Sequence, residues 1–183
     1  MSKFTLSALK KQLSQKTKTD LVAEIAMLCK TFPQVKEYYQ GQGADVQDLI
    51  KKYKGIIEKE FILGKTKGLP SARFSVARKA LNDFKKLTKE PALIADMMLF
   101  YVECASSFNT EFAPDAEKFY TGPENLFETT LAFIKKHQLK EMFRHRAYEV
   151  VANACDGWGH QESLADRYLE VYSEDRGGRL NFF

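Results

Sequence analysis

Apolar residues return every three or four positions along most of the chain, which is the spacing that places them on one face of an α-helix. The clearest stretch is 46–61, where the charged side chains lie off a single apolar stripe. That stripe consists of Val46, Leu49, Ile50, Tyr53, Ile56, Ile57 and Phe61. Sustained period-two alternation and hairpin turns between β-branched runs are missing from the sequence. The pattern predicts an all-α fold.

The same periodicity predicts about 8–10 helices, separated by glycine, proline and polar residues. They cover 5–14, 20–31, 33–40, 46–61, 72–88, 91–107, 123–136, 139–155 and 162–173. Helix 91–107 is apolar on nearly every side, so we expect it at the centre of the fold. We expect N-caps at Thr19 and Asp45, and a capping box from Thr121 to Glu124.

The length of 183 residues suits one multihelical domain, predicted over 1–173, followed by a tail, 174–183. Helices recur every 20 to 30 residues, so antiparallel pairs could stack in a HEAT-like or α-solenoid-like manner, although no repeat of individual residues supports this. The tail ends in Phe182-Phe183, which we expect to dock on its own domain or on a second copy in a homodimer.

The composition of the chain bears on its expected cellular location and on the metal and cofactor sites that it can form. Neither a secretory signal nor an uninterrupted apolar run of membrane-spanning length is evident, so we expect a cytoplasmic protein that does not enter a membrane. Cys29, Cys104 and Cys155 form no CxxC pair and are expected to be reduced thiols of the core. We predict no metal and no cofactor. Glu141, His145 and Glu149 share a helix face, but we interpret them as a surface ladder of ion pairs.

Charge is distributed unevenly. Residues 1–90 contain 19 Lys+Arg against 9 Asp+Glu, whereas residues 91–183 contain 9 against 15. The two halves either neutralise each other by packing together or leave the basic half to meet an acidic partner.

Basic residues are densest between 65 and 89, around the predicted start of a helix, where free amides and cations together favour anions. The candidate anion-binding or partner-binding residues are Lys65, Lys67, Arg73, Arg78, Lys79, Lys85 and Lys86. A solvated helix face has the same composition. Gly64-Lys65-Thr66 does not complete a phosphate-binding loop, because Lys59 occupies the position of the required glycine.

Asp156-Gly157-Trp158-Gly159-His160 contains the single tryptophan between two glycines. We expect a turn that ends a helix, in which Trp158 fills the core and Asp156 caps the following amides. The alternative is a ligand pocket floored by Trp158, with Asp156 and His160 as its polar groups. The spacing of serine and cysteine relative to histidine and acidic residues along the sequence does not indicate a nucleophilic site, although folding can bring such groups together.

Several segments resemble an uncharacterised bacterial family of about this length. They are Leu6-x-x-Leu9-Lys10-Lys11, Asp20-Leu21-Val22, Phe32-Pro33-x-Val35-Lys36-Glu37-Tyr38, Tyr53-Lys54-x-Ile56-Ile57-x-x-Glu60-Phe61, Ser75-Val76-Ala77-Arg78-Lys79-Ala80 with Phe84-Lys85-Lys86, and Asp156-Gly157-Trp158-Gly159. The resemblance spans most of 3–172 and implies a helical cytoplasmic protein without an assigned activity.

We therefore expect a non-enzymatic helical module that binds a protein or an acidic ligand. Nucleic-acid binding through 65–89 is the first alternative, and a small-ligand or enzymatic site near Trp158 is the second.

Overall fold

Nine α-helices and no strand make up the part of the chain that the computed structural model describes, residues 4–42, 46–62 and 70–173. The helices are α1 Leu6–Leu13, α2 Lys18–Thr31, α3 Pro33–Gln40, α4 Val46–Phe61, α5 Phe74–Leu87, α6 Pro91–Phe112, α7 Lys118–Lys136, α8 Lys140–Ala152 and α9 His160–Tyr172. A single 3-10 turn, Gly157–Gly159, precedes α9. The all-α prediction is confirmed.

Helix α6 is the centre of the fold, as its apolar sequence predicts. One of its faces, with Met97, Met98 and Tyr101, packs into a buried cluster with α4 and α5. Another face, with Leu99 and Val102, joins a second cluster with α7, α8 and α9. A helix that supplies both clusters has to be apolar nearly all round, because neither face meets water.

Adjacent helices pack in pairs: α2 with α3, α4 with α5, α6 with α7, and α8 with α9. The pairs also contact one another, since α4 packs on α6 and α7 packs on α9. The predicted packing of adjacent helix pairs is therefore confirmed. Helices α1, α2 and α3 contribute no buried residue, and Leu6, Val22 and Met27 are among their exposed apolar side chains.

Two predicted helix starts are wrong. Helix α2 is capped by Thr17 and not by Thr19: the Thr17 hydroxyl accepts from the Asp20 amide, and the Asp20 carboxylate accepts from the Thr17 amide. This reciprocal pair satisfies two amides that the first helical turn leaves free.

The predicted cap at Asp45 and the tail 174–183 lie outside the described residues.

The second wrong start is the capping box from Thr121 to Glu124. Helix α7 begins at Lys118, one turn earlier, and continues through Pro123. The Thr121 hydroxyl donates to the Glu117 carbonyl (3.3 Å) instead of capping later amides. Helix α7 tolerates Pro123 because the side-chain amide of Asn109 in α6 donates to the Phe119 carbonyl, which the missing amide hydrogen of Pro123 leaves without a helical donor.

The apolar character of α6 is also that of a membrane-spanning helix. Among the described residues, α6 is the one helix with sufficient length and hydropathy to cross a bilayer, and 56% of the relevant stretch is buried inside the fold. Burial of this extent is normal for a central core helix.

The three cysteines are free thiols with different surroundings. Cys104 is buried in α6, and this burial raises the pKa of its thiol to about 12. Cys29 and Cys155 are only partly buried. The expectation of a core thiol therefore fits Cys104, but it does not fit Cys29 in α2 or Cys155 in the segment between α8 and the 3-10 turn.

Candidate functional site

The basic segment that the sequence singles out divides into groups that face different surroundings. Lys65 and Lys67 lie outside the described residues. Arg73 turns back onto α4, where its guanidinium donates two hydrogen bonds to Glu60, Nε to Oε2 (2.8 Å) and Nη2 to Oε1 (2.7 Å). These bonds hold the pKa of the Glu60 carboxyl below its ordinary value. Arg73 is thus committed to a contact inside the protein.

Lys79 and Lys86 are also paired. Both are on the exposed side of α5, and their ammonium groups contact the two carboxylate oxygens of Asp83, at 2.7 Å and 2.8 Å. Hydrogen bonding to the two lysines lowers the pKa of Asp83. One carboxylate therefore offsets part of the charge of this face.

Arg78 and Lys85 lie on a different face of α5, beside a groove between α5 and α7. Seven residues separate them, which is two helical turns or about 10 Å along the axis. Neither has an ion-pair or hydrogen-bond partner among the residues that the structure describes. Burial lowers the pKa of the Lys85 ammonium, because its charge is partly withdrawn from water.

The α5–α7 groove has an apolar floor and a polar rim. It has a volume of about 250 Å³, and its floor includes Phe74, Leu81, Tyr101 and Leu126. The Tyr101 hydroxyl donates to the Phe74 carbonyl (3.1 Å), and burial raises the pKa of Tyr101 to about 12. The phenol therefore stays neutral and adds no negative charge beneath the two cations.

Gly122 of α7 allows this floor to form. A Cβ atom at this position would lie 3.3 Å from the ring of Phe74. The missing side chain lets α7 approach that ring closely while the rim residues Asn82, Asn125 and Thr129 face the opening. The groove thus combines two cations, amide and hydroxyl groups, and an apolar base.

Trp158 does not fill the core, contrary to the sequence prediction. Its side chain is 59% exposed and stacks on Tyr120, with ring centroids 6.1 Å apart. Both Trp158 (φ 56°) and Gly159 (φ 67°) have left-handed backbone conformations, which an L-residue other than glycine adopts at some cost. Gly157 lets the backbone of the turn approach Tyr120 closely, because a Cβ there would lie 3.3 Å from the Tyr120 hydroxyl.

The three candidate pocket residues around this turn do not converge on one cavity. Asp156 borders a groove between α8 and α9 with Tyr148 and Leu169. Its carbonyl accepts from the Gly159 amide (3.0 Å), and no side-chain cap from Asp156 is found. His160 is completely buried and points the other way, towards α6 and α7.

His160 joins a buried hydrogen-bonded chain that sequence reasoning missed. Its Nδ1 lies 2.8 Å from Glu124 Oε1, and its Nε2 lies 3.2 Å from Ser106 Oγ. Ser163 donates its hydroxyl to the other oxygen of Glu124 (2.8 Å). The residues come from α6, α7 and α9, so no local spacing could have indicated them.

Metal-ligand geometry is missing from the described part of the chain, where no group of three or more His, Cys, Asp and Glu side chains could hold an ion. His145 and Glu149 lie 3.6 Å apart on the exposed face of α8. Glu141 bonds Arg144 (2.8 Å), as an ion-pair ladder would.

The chain belongs to the family of unknown function DUF6155, which matches residues 1–172. No curated protein and no solved structure matches it. The match extends to the end of α9, so it includes both the α5–α7 groove and the buried chain around His160.

Proposed function

We propose, with membership of a family of unknown function as the starting point, that the protein is a helical interaction module whose α5–α7 groove binds an acidic segment of a partner protein. The observation that supports this is the contrast along one helix. Lys79 and Lys86 share Asp83, whereas Arg78 and Lys85 border the groove without a carboxylate among the described residues.

A half-buried ammonium that lacks a counter-charge is unfavourable, because it has lost hydrating water and no carboxylate or hydrogen-bond acceptor replaces that water. A carboxylate that enters the groove beside Lys85 removes this cost. Lys85 therefore favours an anion in the groove more than an exposed lysine would. Arg78 adds a planar donor that matches a carboxylate in two hydrogen bonds.

The apolar floor sets the second requirement on the ligand. A purely anionic ligand would leave the apolar floor exposed to water. The floor residues are Phe74, Leu81 and Leu126. A peptide that places an apolar side chain between two acidic ones covers the floor and meets both cations, which are about 10 Å apart. The volume of about 250 Å³ suits one or two side chains rather than a folded domain.

Nucleic acid is the weaker candidate for this surface. A nucleic-acid backbone is typically held by roughly 6 to 10 phosphate contacts along a track of cations. In the described part of the basic segment, Arg73, Lys79 and Lys86 already face carboxylates. An apolar-floored groove beside two cations fits an acidic peptide better than a phosphate track.

The test is fluorescence anisotropy with a short fluorescein-labelled peptide in which glutamates flank leucines. We expect Arg78→Gln with Lys85→Gln to weaken binding by about tenfold, which is about 1.4 kcal/mol. The matched control is Lys79→Gln with Lys86→Gln, which removes the same charge from the same helix. Equal losses in both variants would show that only overall charge matters, and would overturn the proposal.

Labelled single-stranded DNA serves as the competing probe in the same assay. We expect the wild-type protein to bind the peptide more tightly than the DNA at equal ionic strength. Tighter binding of DNA, with a steep loss as salt rises, would instead favour the nucleic-acid alternative.

A further inference from the structure

Ser106, His160 and Glu124 form a hydrogen-bonded series in the middle of the fold. Ser106 belongs to α6, Glu124 to α7, and His160 is the first residue of α9. All three are buried, and His160 is completely so. The series is unrelated to the α5–α7 groove, because none of its members lines that groove.

The direction of the hydrogen bonds depends on the tautomer of His160. In the neutral tautomer that carries its hydrogen on Nδ1, that nitrogen donates to the Glu124 carboxylate. The opposite nitrogen of a neutral imidazole then has a lone pair, and the Ser106 hydroxyl donates to it across 3.2 Å. A hydroxyl that donates to an imidazole oriented by an acid is the arrangement that activates a serine nucleophile.

Ser106 also borders a surface pocket between α6 and α8 of about 460 Å³. The other residues around this pocket include Glu103, Ser107, Glu149 and Asn153. One member of the series therefore adjoins an opening from which a small molecule can approach, while His160 and Glu124 stay shielded behind it.

We infer that Ser106 and His160 are catalytic residues of an ester-cleaving site, with Glu124 as the positioning residue. Ser106 Oγ attacks the ester carbonyl carbon while its proton passes to His160 Nε2. The bond from that carbon to the alcohol oxygen breaks, and the alcohol leaves with the proton. Water then attacks the acyl-serine, His160 takes its proton and returns it to Ser106 Oγ, and a carboxylic acid is released.

The pocket indicates which esters fit. Glu149 is half-exposed there, whereas Glu103 is held by Arg146, whose Nε lies 2.6 Å from Oε1. The carboxylate of Glu149 therefore favours an ester that carries a positively charged group. Backbone amides inside α6 are already used by the helix, so the developing oxyanion needs a side-chain donor.

Asn153 is suited to be that donor. Its amide nitrogen gives one hydrogen to the Glu149 carbonyl (2.9 Å), and an amide nitrogen has two. A single side-chain amide can serve in this way, and the loss of such a donor typically slows an acyl transfer about 100-fold or more.

The experiment uses the full chain and a small alkyl fluorophosphonate, which reacts with activated serines. Ser106 Oγ bonds to phosphorus, the P–F bond breaks, and fluoride leaves with the displaced proton. We expect peptide mass spectrometry to locate the adduct on Ser106, and Ser106→Ala to abolish it. The matched control is Ser75→Ala, which removes an exposed serine hydroxyl from α5, away from this pocket, and should leave labelling unchanged.

His160→Gln should slow labelling by at least about 100-fold, which is a typical loss of general-base assistance. Glu124→Ala should also slow it, and Glu124→Asp should recover part of the rate because a carboxylate returns. Circular dichroism checks that each variant is folded. If a buried variant unfolds, the wild-type adduct and Ser106→Ala still decide the outcome.

Two results would overturn the inference: an unlabelled Ser106 in the folded wild-type protein at saturating probe, or an adduct on other residues that Ser106→Ala leaves intact. Either would show that the hydrogen-bonded series only stabilises the packing of α6, α7 and α9. Loss of the series would not affect the acidic peptide assay, so the two proposals can fail separately.

Discussion

Asn109 of α6 donates its side-chain amide to the carbonyl of Phe119 in α7, with 2.9 Å between nitrogen and oxygen. Phe119 lies four residues before Pro123, and proline has no amide hydrogen to complete that turn of the helix. Asn109 is completely buried, so its amide takes the place of a backbone donor in a region without access to water. This bond explains how α7 passes through a proline and remains continuous.

Replacement of Asn109 tests this explanation. Asn109→Leu leaves the partly buried Phe119 carbonyl without this partner and should lower the free energy of unfolding by about 1 to 3 kcal/mol. In a chain with Pro123→Ala, the new backbone amide supplies the missing donor, so the same substitution should cost less. Urea unfolding of the two single variants and the double variant gives the coupling. Strict additivity would contradict the compensation between Asn109 and Pro123.

Two helix-associated glycines make a matched pair of opposite predictions. A Cβ at Gly41 would lie 2.1 Å from the carbonyl oxygen of Leu87, where the end of α3 meets the end of α5. Gly41→Ala should therefore separate these ends and lower stability by about 1 to 3 kcal/mol. Gly55 in α4 has nothing within 4 Å of its added Cβ.

Gly55→Ala should accordingly raise stability by about 0.5 to 1 kcal/mol, because alanine favours the helix interior. Thermal unfolding of both variants measures the contrast. A gain for Gly41→Ala, or similar effects at the two positions, would mean that the close approach to Leu87 is misplaced.

The ion pair between Glu60 and Arg73 predicts a dependence of stability on acidity. The folded state lowers the pKa of Glu60, chiefly through the hydrogen bonds from Arg73. The stabilisation is therefore complete above the unfolded value of about 4.5 and is lost as the pH falls through the lower folded pKa. Glu60→Gln should be less stable than wild type near neutral pH, and this difference should shrink in acid.

Urea unfolding at several pH values between neutrality and acid checks the sign. Glu58→Gln removes the same charge from an exposed position of α4 and should change stability little. A difference between wild type and Glu60→Gln that grows as the pH falls would contradict the assigned pairing.

Helix positions are predictable from sequence where the apolar stripe is unambiguous. The stripe from Val46 to Phe61 matches α4, and the all-round apolar character of 91–107 marks α6 as central. The start of α7 is not predictable in this way. Pro123 suggests that a helix begins there, and only the fold shows that Asn109 of α6 donates to the Phe119 carbonyl and so allows α7 to begin earlier. A local pattern contains no information about that compensation.

The candidate site shows the same limit. Sequence analysis identifies the cations of the basic segment, but it cannot show that Asp83 pairs with Lys79 and Lys86 while Arg78 and Lys85 turn towards α7. The series through Ser106 and His160 depends on residues 54 positions apart, so only the fold brings them together. The prediction that Trp158 fills the core is wrong: a large aromatic side chain is usually buried, whereas this one stacks on Tyr120 at the surface.

The most direct test of an acidic-peptide groove is an NMR titration that follows the side-chain amides of Asn82 and Asn125, one on each wall. The glutamate and leucine peptide should shift both signals in wild type, and should leave them nearly unchanged in the variant with Arg78→Gln and Lys85→Gln. Shifts confined to the face with Lys79 and Lys86, or equal shifts in the groove variant, would contradict the account.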